Sequence, residues 1–474
     1  MLAAMPTPRG RTSASPAPVT APVRGRDDAC PGALRLHAAD DGALARVRVP
    51  GGALTAAQAH LLADTADRLG DGALHLTSRG NVQLRGLAAD CGAELAARLR
   101  EAGLLPSTTH ERVRNVVATP LSGLDARGHA DVQPWVRQLD RLLCADPGAT
   151  GLSGRFLFAF DDGRGDVAAL GADVTVTAAT PAPGADGTAD GPGTAVVRVG
   201  ISGAEVTIPA ADAPGVALHA AQTFLTLGTG AWRVADAPHT AAAVTEALRR
   251  TRVKRPSPEP SAGPATGEGY DTGAPRVRDA AGADRAAPGA HVEGAGPAPG
   301  VVVAPGGVHA SLCVTAPLGT LTSAQARLLA GLALTRGTGA LRVTPWRGVV
   351  VPGLASVAAP SALAETGAGG LVTSAASPWF GLGACAGRPG CAASLSDVRA
   401  DALAAAAAHD SRPPLPVYLS GCTRRCGRPK GLHVDAVATG DGRYEVSVPG
   451  TDDAGEFAAA LTTAAAARTT TAGG

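Results

Sequence analysis

Two stretches of the chain show the same order of strand-like and helix-like hydrophobic patterns. In the first stretch, apolar runs at residues 44–49 and 73–76 enclose a segment whose apolar residues recur at helical spacing. In the second stretch, runs at 310–315 and 340–343 enclose a similar segment. The helical spacing of the first segment is carried by Leu61, Leu62, Ala66 and Leu69. Each stretch therefore predicts a strand–helix–strand unit.

The two units are related by an internal repeat. The sequence LTAAQA at 54–59 recurs as LTSAQA at 321–326, and the register continues without a gap through the second strand of each unit. The Ala-rich composition raises the identity, but the matched Thr, Gln and Gly positions do not follow from composition. Thr55 and Thr322 each stand where a helix N-cap is expected. The repeat predicts an internally duplicated α+β protein with two ferredoxin-like half-domains.

The larger segments that follow the two units also share a short match. The sequence LSG at 152–154 recurs at 419–421, which is the same offset as that between the two small units. This match predicts that two larger α+β domains are duplicated as well. At that offset, Arg155 of the first copy stands where the second copy has Cys422.

Length and charge limit the classes of protein to which the chain can belong. It has 474 residues, which is too many for one hydrophobic core, and 42 Lys and Arg balance 41 Asp and Glu. No global field therefore favours nucleic acid or an acidic membrane. No run approaches the roughly 18 apolar residues of a membrane helix, and the N-terminus lacks the apolar core of a signal peptide. We expect a cytoplasmic protein, in which clustered cysteines bind metal rather than form disulfides.

Segments rich in Pro, Gly and Ala indicate where the domains end. Such segments mark a tail, a surface insertion at 180–194 and a linker. The predicted divisions are a disordered tail at 1–29, a first ferredoxin-like half-domain at 30–100, a larger α+β domain at 101–254, a flexible linker at 255–300, a second half-domain at 301–360 and a second larger domain at 361–474.

Four of the eight cysteines have the spacing of metal ligands. Five residues separate Cys385 from Cys391, and three separate Cys422 from Cys426, all in loops rich in Gly and Pro. Four thiolates on tight loops suit a [4Fe–4S] cluster, because amides of a close backbone can hydrogen-bond to the sulfides. The alternative is a zinc site, although zinc loops usually space their cysteines by two to four residues. The other four cysteines are scattered along the chain and are interpreted as buried or incidental thiols: Cys30, Cys91, Cys144 and Cys313.

Basic residues gather in three runs of the first half. Arg79 and Arg85 lie in one run, Arg114 in a second and Arg155 in a third. Arginine binds carboxylates through a planar fork, so convergent arginines suit a ligand with several carboxylates. Each run alone is more typical of a solvated face.

These motifs together resemble the sirohaem sulfite/nitrite reductase superfamily, over nearly the whole chain outside the tail and the low-complexity segments. The likeness rests on the two cysteine pairs and on Thr77-Ser78-Arg79, Asn81, Gln83, Arg85-Gly86 and Arg114-Asn115. Within the superfamily, residues 158–163, 384–392 and 417–422 are most similar to the precorrin-3B synthase family. The resemblance implies a duplicated fold with two ferredoxin-like half-domains and two larger α+β domains.

The resemblance also implies a reaction and its ligands. Precorrin-3A would be hydroxylated at C20 by dioxygen, with closure of a γ-lactone, as a step of aerobic cobalamin biosynthesis. Arg79, Arg114 and Arg155, with Arg85 as a further candidate, would bind the tetrapyrrole carboxylates. The [4Fe–4S] cluster would supply electrons, and the family is thought to use a mononuclear non-haem iron as well. No ligands of that iron are evident among the histidines considered, which are His75, His110, His409 and His433.

Two other functions stay open. A sirohaem-dependent assimilatory sulfite or nitrite reductase would hold the tetrapyrrole as a cofactor, with Cys426 bridging cluster and haem iron. Such reductases usually carry a Lys-x-Lys stretch where this chain has residues 155–157, Arg-Phe-Leu. A non-catalytic iron–sulfur carrier would not need the arginines. No Gly-rich phosphate loop follows a strand, so we expect an external electron donor, either a separate reductase or an NADH-linked donor.

Overall fold

A computed structural model describes residue 28 and residues 30–179, 193–250, 296–408, 412–429 and 432–448. The predicted tail lies outside these residues except for Asp28, and so does the predicted linker up to residue 295. The predicted insertion lies outside them up to residue 192. Within the described ranges, no helix combines the length and the apolar character needed to cross a bilayer.

The first half of the chain forms a small domain followed by a larger one. The small domain contains strands β1 (His37–Ala39), β2 (Gly42–Val47), β3 (Ala53–Thr55), β4 (Ala73–Leu76) and β5 (Val82–Leu87), with helices α1 (Ala56–Leu69) and α2 (Gly92–Glu101). The larger domain contains β6 (Val116–Ala118), β7 (Phe158–Asp161), β8 (Val174–Ala179), β9 (Thr194–Val199) and β10 (Glu205–Pro209), with α3 (Gln133–Ala145), α4 (Ala213–Thr226) and α5 (His239–Arg250).

The second half repeats this order. Its small domain contains β11 (Gly300–Val303), β12 (His309–Thr315), β13 (Thr320–Thr322), β14 (Ala340–Val343) and β15 (Gly348–Ala355), with α6 (Ser323–Arg336) and α7 (Ala359–Ala368). Its larger domain contains β16 (Leu382–Ala384), β17 (Val417–Ser420), β18 (Val434–Gly440) and β19 (Arg443–Ser447), with α8 (Val398–Ala407).

The two small domains exchange a strand. One sheet has the order β1-β2-β5-β4-β13 and the other β11-β12-β15-β14-β3, so each sheet takes its last strand from the opposite half. Helices α1 and α6 pack against each other, and apolar residues of both domains form one continuous core. The exchange joins the two copies into a single pseudo-symmetric unit.

The helix starts that follow these exchanged strands confirm the predicted N-caps. Thr55 forms a capping box with Gln58, and Thr322 forms the same box with Gln325. Each glutamine also donates from Nε2 to the end of the next helix, at 3.0 Å to the carbonyl of Ala102 in the first copy and of Gly369 in the second. The register of the repeat therefore holds throughout the small domains.

In the larger domains the register changes, which corrects one prediction. The sheets have the orders β10-β9-β8-β7-β6 and β16-β17-β18-β19. Strand β7 pairs in parallel with β8 from Phe158 onward, and strand β17 pairs in parallel with β18 from Val417 onward, so Phe158 and Val417 are equivalent. The register of the small domains would instead align Phe158 with Arg425. Residues 152–154 precede β7, whereas residues 419–420 lie inside β17. The short match was accidental, and Arg155 is not the counterpart of Cys422.

Candidate functional site

The four predicted cluster cysteines lie at one edge of the last sheet. Strands β16 and β17 are parallel neighbours, so the loops that follow them meet at the same edge; Cys385 follows β16, and Cys422 follows β17. The backbone N–H of Gly421 donates to Cys385 Sγ at 3.2 Å. Burial, and repulsion from the thiols of Cys422, Cys385 and Cys391, raise the pKa of Cys426. The four thiols are therefore near enough to influence one another electrostatically.

The donor set of this edge suits an iron–sulfur cluster. Four thiols from two loops and an amide that already donates to one sulfur are the groups that such clusters use. Among the residues in the described ranges, no three His, Cys, Asp or Glu side chains are grouped so as to hold a metal ion. The assignment of the four cysteines as cluster ligands therefore stays a prediction.

Three of the other cysteines lie in packed surroundings. Burial raises the pKa of Cys91 and of Cys144, and raises that of Cys313 to about 12. Cys30 differs, because it lies against the buried guanidinium of Arg48 and is one of the groups that raise the pKa of that arginine. Cys30 therefore lies next to the group of arginines described below.

A row of polar side chains crosses the first small sheet. Arg46 on β2 is paired with Gln83 on β5, Gln83 with His75 on β4, and His75 with Thr320 on the exchanged β13. Neighbours across strands point to the same face, so these four residues, here called the polar row, share one face. The residues between them along the strands, such as Leu84, point into the apolar core.

One end of the polar row is strongly cationic. Arg46, Arg48 and Arg79, here called the arginine group, lie close enough to repel one another. Burial, and then repulsion from Arg46, lower the pKa of Arg48 to about 9; burial, and then repulsion from Arg233, lower that of Arg79 to about 10. The buried Nε atoms of Arg46 and Arg48 have no hydrogen-bond partner. These are the properties of a site that binds an anion.

The oxygens that accept hydrogen bonds from Arg46 and Arg48 are neutral. Arg48 is 2% exposed and donates to Asn115 Oδ1 at 3.3 Å and to the Gly154 carbonyl at 3.0 Å. Arg46 donates to Gln83 Oε1 at 3.2 Å. Such bonds hold the guanidinium groups in place without neutralising their charge.

Two of the predicted arginines lie at this end of the row. Arg79 belongs to the arginine group and donates to the carbonyl of Arg155 at 3.2 Å. The side chain of Arg155 is exposed and lies over the ring of Trp232, 4.3 Å from its centroid. Arg79 therefore lies within the site, and Arg155 lies at its rim.

The guanidinium groups of the other two predicted arginines are already paired with carboxylates of the protein. Arg114 is 4% exposed and holds the carboxylate of Asp140 through two bonds of 2.6 and 2.8 Å. Arg85 holds Asp41 through bonds of 2.9 and 2.8 Å and also donates to the Gly390 carbonyl at 2.9 Å. Neither residue presents a free fork to a ligand.

Sequence reasoning missed Arg46 and Arg48. Their alternation at the end of a strand, in the pattern Arg-x-Arg, places both on one face of a sheet and was the available signal. The histidines are scattered. His75 pairs with Asp71 at 2.7 Å, and His110 bonds to Ser107 at 2.7 Å; His433 is buried in the last domain, and His409 lies outside the described residues.

The polar row also connects the arginine group to the cysteine loops. At its far end, Thr320 Oγ1 accepts from Arg399 Nη1 at 2.6 Å, and Arg399 Nε donates to the carbonyl of Cys385 at 3.3 Å. Arg85, on the same face of β5 as Gln83, reaches the residue before Cys391. A ligand on the polar row would thus lie between the arginines and the thiols.

Comparison with known proteins finds a family match for the small domain of each half. The family described as the nitrite/sulfite reductase ferredoxin-like half domain matches residues 37–102 and 304–368. A precorrin-3B synthase of Sinorhizobium is 26% identical over 422 residues, covering 88% of this chain and 82% of that protein. A ferredoxin–nitrite reductase of Synechococcus elongatus is 35% identical over 145 residues, which cover 29% of this chain and 28% of the reductase.

The structure of NirA of Mycobacterium tuberculosis shares the fold. The TM-score is 0.58 with 20% sequence identity, over 86% of this chain and 73% of that chain. The predicted α+β architecture, with two ferredoxin-like half-domains and two larger domains, is confirmed. The fold and these comparisons define the class as a duplicated α+β protein with two ferredoxin-like half-domains. Within the chain, residues 37–102 and 304–368 are two copies of the nitrite/sulfite reductase ferredoxin-like half domain.

Proposed function

We propose that this protein is an oxygen-dependent precorrin-3B synthase, which hydroxylates precorrin-3A at C20 with closure of a γ-lactone. The observation that carries the proposal is the arginine group, a largely buried cationic site at the opposite end of the polar row from the cysteine loops, whose guanidinium groups form no salt bridge with a described carboxylate. A tetrapyrrole rich in carboxylates supplies the missing anions. The choice within the superfamily is supported by the similarity to a precorrin-3B synthase over 88% of the chain.

The arginines would bind and orient the substrate. Arg48 and Arg79 would donate hydrogen bonds to its carboxylates from the buried side, and Arg155 would bind at the rim. Arg85 and Arg114 act on protein groups instead, since Asp41 and Asp140 occupy their forks. The proposed ligands of a [4Fe–4S] cluster are Cys385, Cys391, Cys422 and Cys426. When bound, that cluster supplies single electrons for oxygen chemistry.

The electron donor of this reaction is proposed to be external. Cys426 is the exposed member of the four cysteines, so the edge of the proposed cluster is accessible to a partner. Dioxygen is the proposed oxidant, and a mononuclear non-haem iron is a proposed second cofactor without assigned ligands. A carrier without catalytic function would leave the arginine group unexplained.

The alternative function is a sirohaem-dependent sulfite or nitrite reductase. It is supported by the nitrite reductase similarity, which spans 28% of the Synechococcus protein. The apolar residue at position 157 argues against the reductase, because such enzymes usually have a lysine there. Leu157 is 3% exposed and packs into an apolar cluster with Val117 and Ala159, so position 157 does not supply the second cation of the Lys-x-Lys stretch.

The visible spectrum of anaerobically purified protein, followed by solvent extraction, tests the choice between the two functions. Broad iron–sulfur absorbance without extractable sirohaem is expected if the tetrapyrrole is the substrate. Intense sirohaem bands would favour the reductase. Conversion of precorrin-3A in the presence of dioxygen and an electron donor would then establish the oxygenase.

Binding measurements with Arg79→Met test the arginine group. Loss of one charge-assisted bond should weaken tetrapyrrole binding by about 10- to 100-fold. Arg412→Met serves as a matched control, because Arg412 is exposed and lies over Phe380 in the last domain. Unchanged affinity in Arg79→Met would remove this residue from the site.

A further inference from the structure

Arg347 has a backbone conformation that arginine seldom adopts. Its φ is +60°, in the turn between β14 and β15. At the matching position of the first copy, in the register of the repeat, the chain has Gly80 with φ +65°. Glycine adopts this conformation freely, whereas a residue with a Cβ is strained there. A strained residue that is kept where glycine would suffice points to a role for the side chain.

The side chain of Arg347 runs through a slot lined by three glycines. A Cβ at Gly319 would lie 2.3 Å from Arg347 Cδ, and one at Gly427 would lie 3.2 Å from Nη2. At Gly383 the distance to Nη1 would be 3.5 Å. The slot leads to the cysteine loops, where Nη2 donates to the Gly427 carbonyl at 2.9 Å. The chain thus leaves room for this arginine from three separate segments.

Tyr418 adds a fourth wall to the slot. The Arg347 guanidinium lies 5.5 Å from the centroid of the Tyr418 ring, whose hydroxyl donates to the Cys426 carbonyl at 2.7 Å. Arg347 therefore approaches Cys426 both through the next residue, Gly427, and through the tyrosine that supports its carbonyl.

Arg399 also contacts the cysteine loops, through a different residue. It donates from Nε to the carbonyl of Cys385 and from Nη1 to Thr320 Oγ1. Burial, and then repulsion from Arg85 and Arg347, lower the pKa of Arg399, while Cys385 raises it. Arg85 shares its charge with Asp41, whereas Arg347 and Arg399 direct these hydrogen bonds to neutral oxygens. Two guanidinium groups that donate to neutral oxygens thus lie beside the cysteines.

We propose that Arg347 and Arg399 are positioning residues that raise the reduction potential of the cluster held by Cys385, Cys391, Cys422 and Cys426. The inference rests on the proposed [4Fe–4S] cluster. Reduction adds one electron from the external donor to a cluster that is already anionic through its four thiolates. Nearby positive charge stabilises the reduced form, because potentials of such clusters depend on local charge and hydrogen bonds. With a higher potential, the cluster could be reduced by an electron donor whose own reduction potential is less negative.

The decisive variant is Arg347→Gly, which removes the charge and relieves the strained backbone. We expect four irons per chain as in the wild type, an unfolding temperature that is equal or higher, and a lower midpoint potential in a redox titration followed by electron paramagnetic resonance. The ratio of reduced to oxidised cluster at a fixed potential should fall by about tenfold, equivalent to about 59 mV for one electron. Arg347→Lys, which keeps the charge, should retain most of the wild-type potential.

A second variant keeps the test decisive if Arg347→Gly loses iron. Arg399→Gln removes a charge while its amide can still donate to Thr320 and Cys385, and it should lower the potential in the same direction. Arg412→Gly, an exposed cation away from the cysteine loops, should leave the potential unchanged. A wild-type protein without a four-iron cluster would overturn the proposed ligands and this inference together. A loaded Arg347→Gly or Arg399→Gln with an unchanged potential would overturn this inference alone.

Discussion

The edges formed by the ends of the parallel strands carry different chemistry in the two halves. Strands β6 and β7 are the counterparts of β16 and β17, so the loops that follow them occupy equivalent places. In the second half these loops carry the four clustered cysteines. In the first half they carry Thr119 and the sequence Asp161-Asp162-Gly163-Arg164-Gly165-Asp166, here called the acidic loop.

The acidic loop is closed by its own hydrogen bonds. The two carboxylate oxygens of Asp161 accept from four backbone N–H groups, at 2.9 to 3.1 Å. Arg164 lies between Asp162 and Asp125, at 2.7 Å from each. Thr119 donates to Asp166 Oδ1 at 2.7 Å. The first half therefore stabilises this edge through hydrogen bonds and ion pairs among its own residues, whereas the corresponding loops of the second half carry the four cysteines that we propose as cluster ligands.

Both edges are nevertheless held by the opposite half in the same way. Arg342 of β14 donates to the carbonyls of Pro120 and Ser122, at 2.8 and 2.7 Å, in the loop after β6. Arg85 of β5 donates to the carbonyl of Gly390 in the loop after β16. Each small sheet thus clamps the edge of the other half's larger domain. The two halves thus share the scaffold of the duplication but differ in the chemistry of the loops that it carries.

Replacing a cysteine should produce the largest difference between the two edges. Cys422→Ser or Cys385→Ser is expected to lose essentially all iron–sulfur absorbance and turnover, because a cubane needs all four thiolates. Cys144→Ser, in a packed helix of the first half, should lose neither. Iron analysis and visible spectra provide the measurement. Retention of a full four-iron cluster in Cys422→Ser would contradict the ligand assignment.

Breaking the ion pair of the acidic loop should affect stability but not metal content. Asp162 is fully buried, and Asp162→Asn leaves Arg164 with half of its compensating charge. We expect the free energy of unfolding to fall by about 3 kcal/mol, as measured by urea denaturation. Asp64→Asn breaks an exposed pair with Arg327 and should cost less than about 1 kcal/mol. Loss of iron in Asp162→Asn would show that the two edges are coupled.

The small domains could be predicted from the sequence because their signals are local. The caps at Thr55 and Thr322, the strands Ala73–Leu76 and Ala340–Val343 and the register of the repeat all depend on neighbouring residues. The exchange of β3 and β13 depends instead on contacts between segments from opposite halves of the chain, such as Leu54 with Leu341. No local pattern specifies such a pairing.

The candidate site was predictable only in part, for the same reason. The cysteines are recognisable from their spacing, but the function of an arginine depends on its distant partner. Arg114 and Arg48 look alike in the sequence, yet Asp140 neutralises the first, while neutral oxygens hold the second. The false match of Arg155 with Cys422 arose because the repeat changes register inside the larger domain, where only strand pairing reveals the correct alignment.

The smallest expected difference is a pH dependence that belongs to the acidic loop. Burial, and repulsion from Asp161, raise the pKa of Asp166 to about 7 from 3.8. Its contribution to stability is fully present below pH 3.8, where the carboxyl is protonated in both states, and is lost as the pH rises through about 7. Between pH 5 and pH 7 the wild type should therefore lose about 2 kcal/mol of stability more than Asp166→Asn, whose amide mimics the protonated acid. Burial also raises the pKa of Asp173, so the difference between the two proteins isolates Asp166. Equal dependence of the unfolding free energy on pH in the two proteins, measured by urea denaturation across this range, would show that Asp166 is ionised in the folded protein despite its burial and the nearby charge of Asp161.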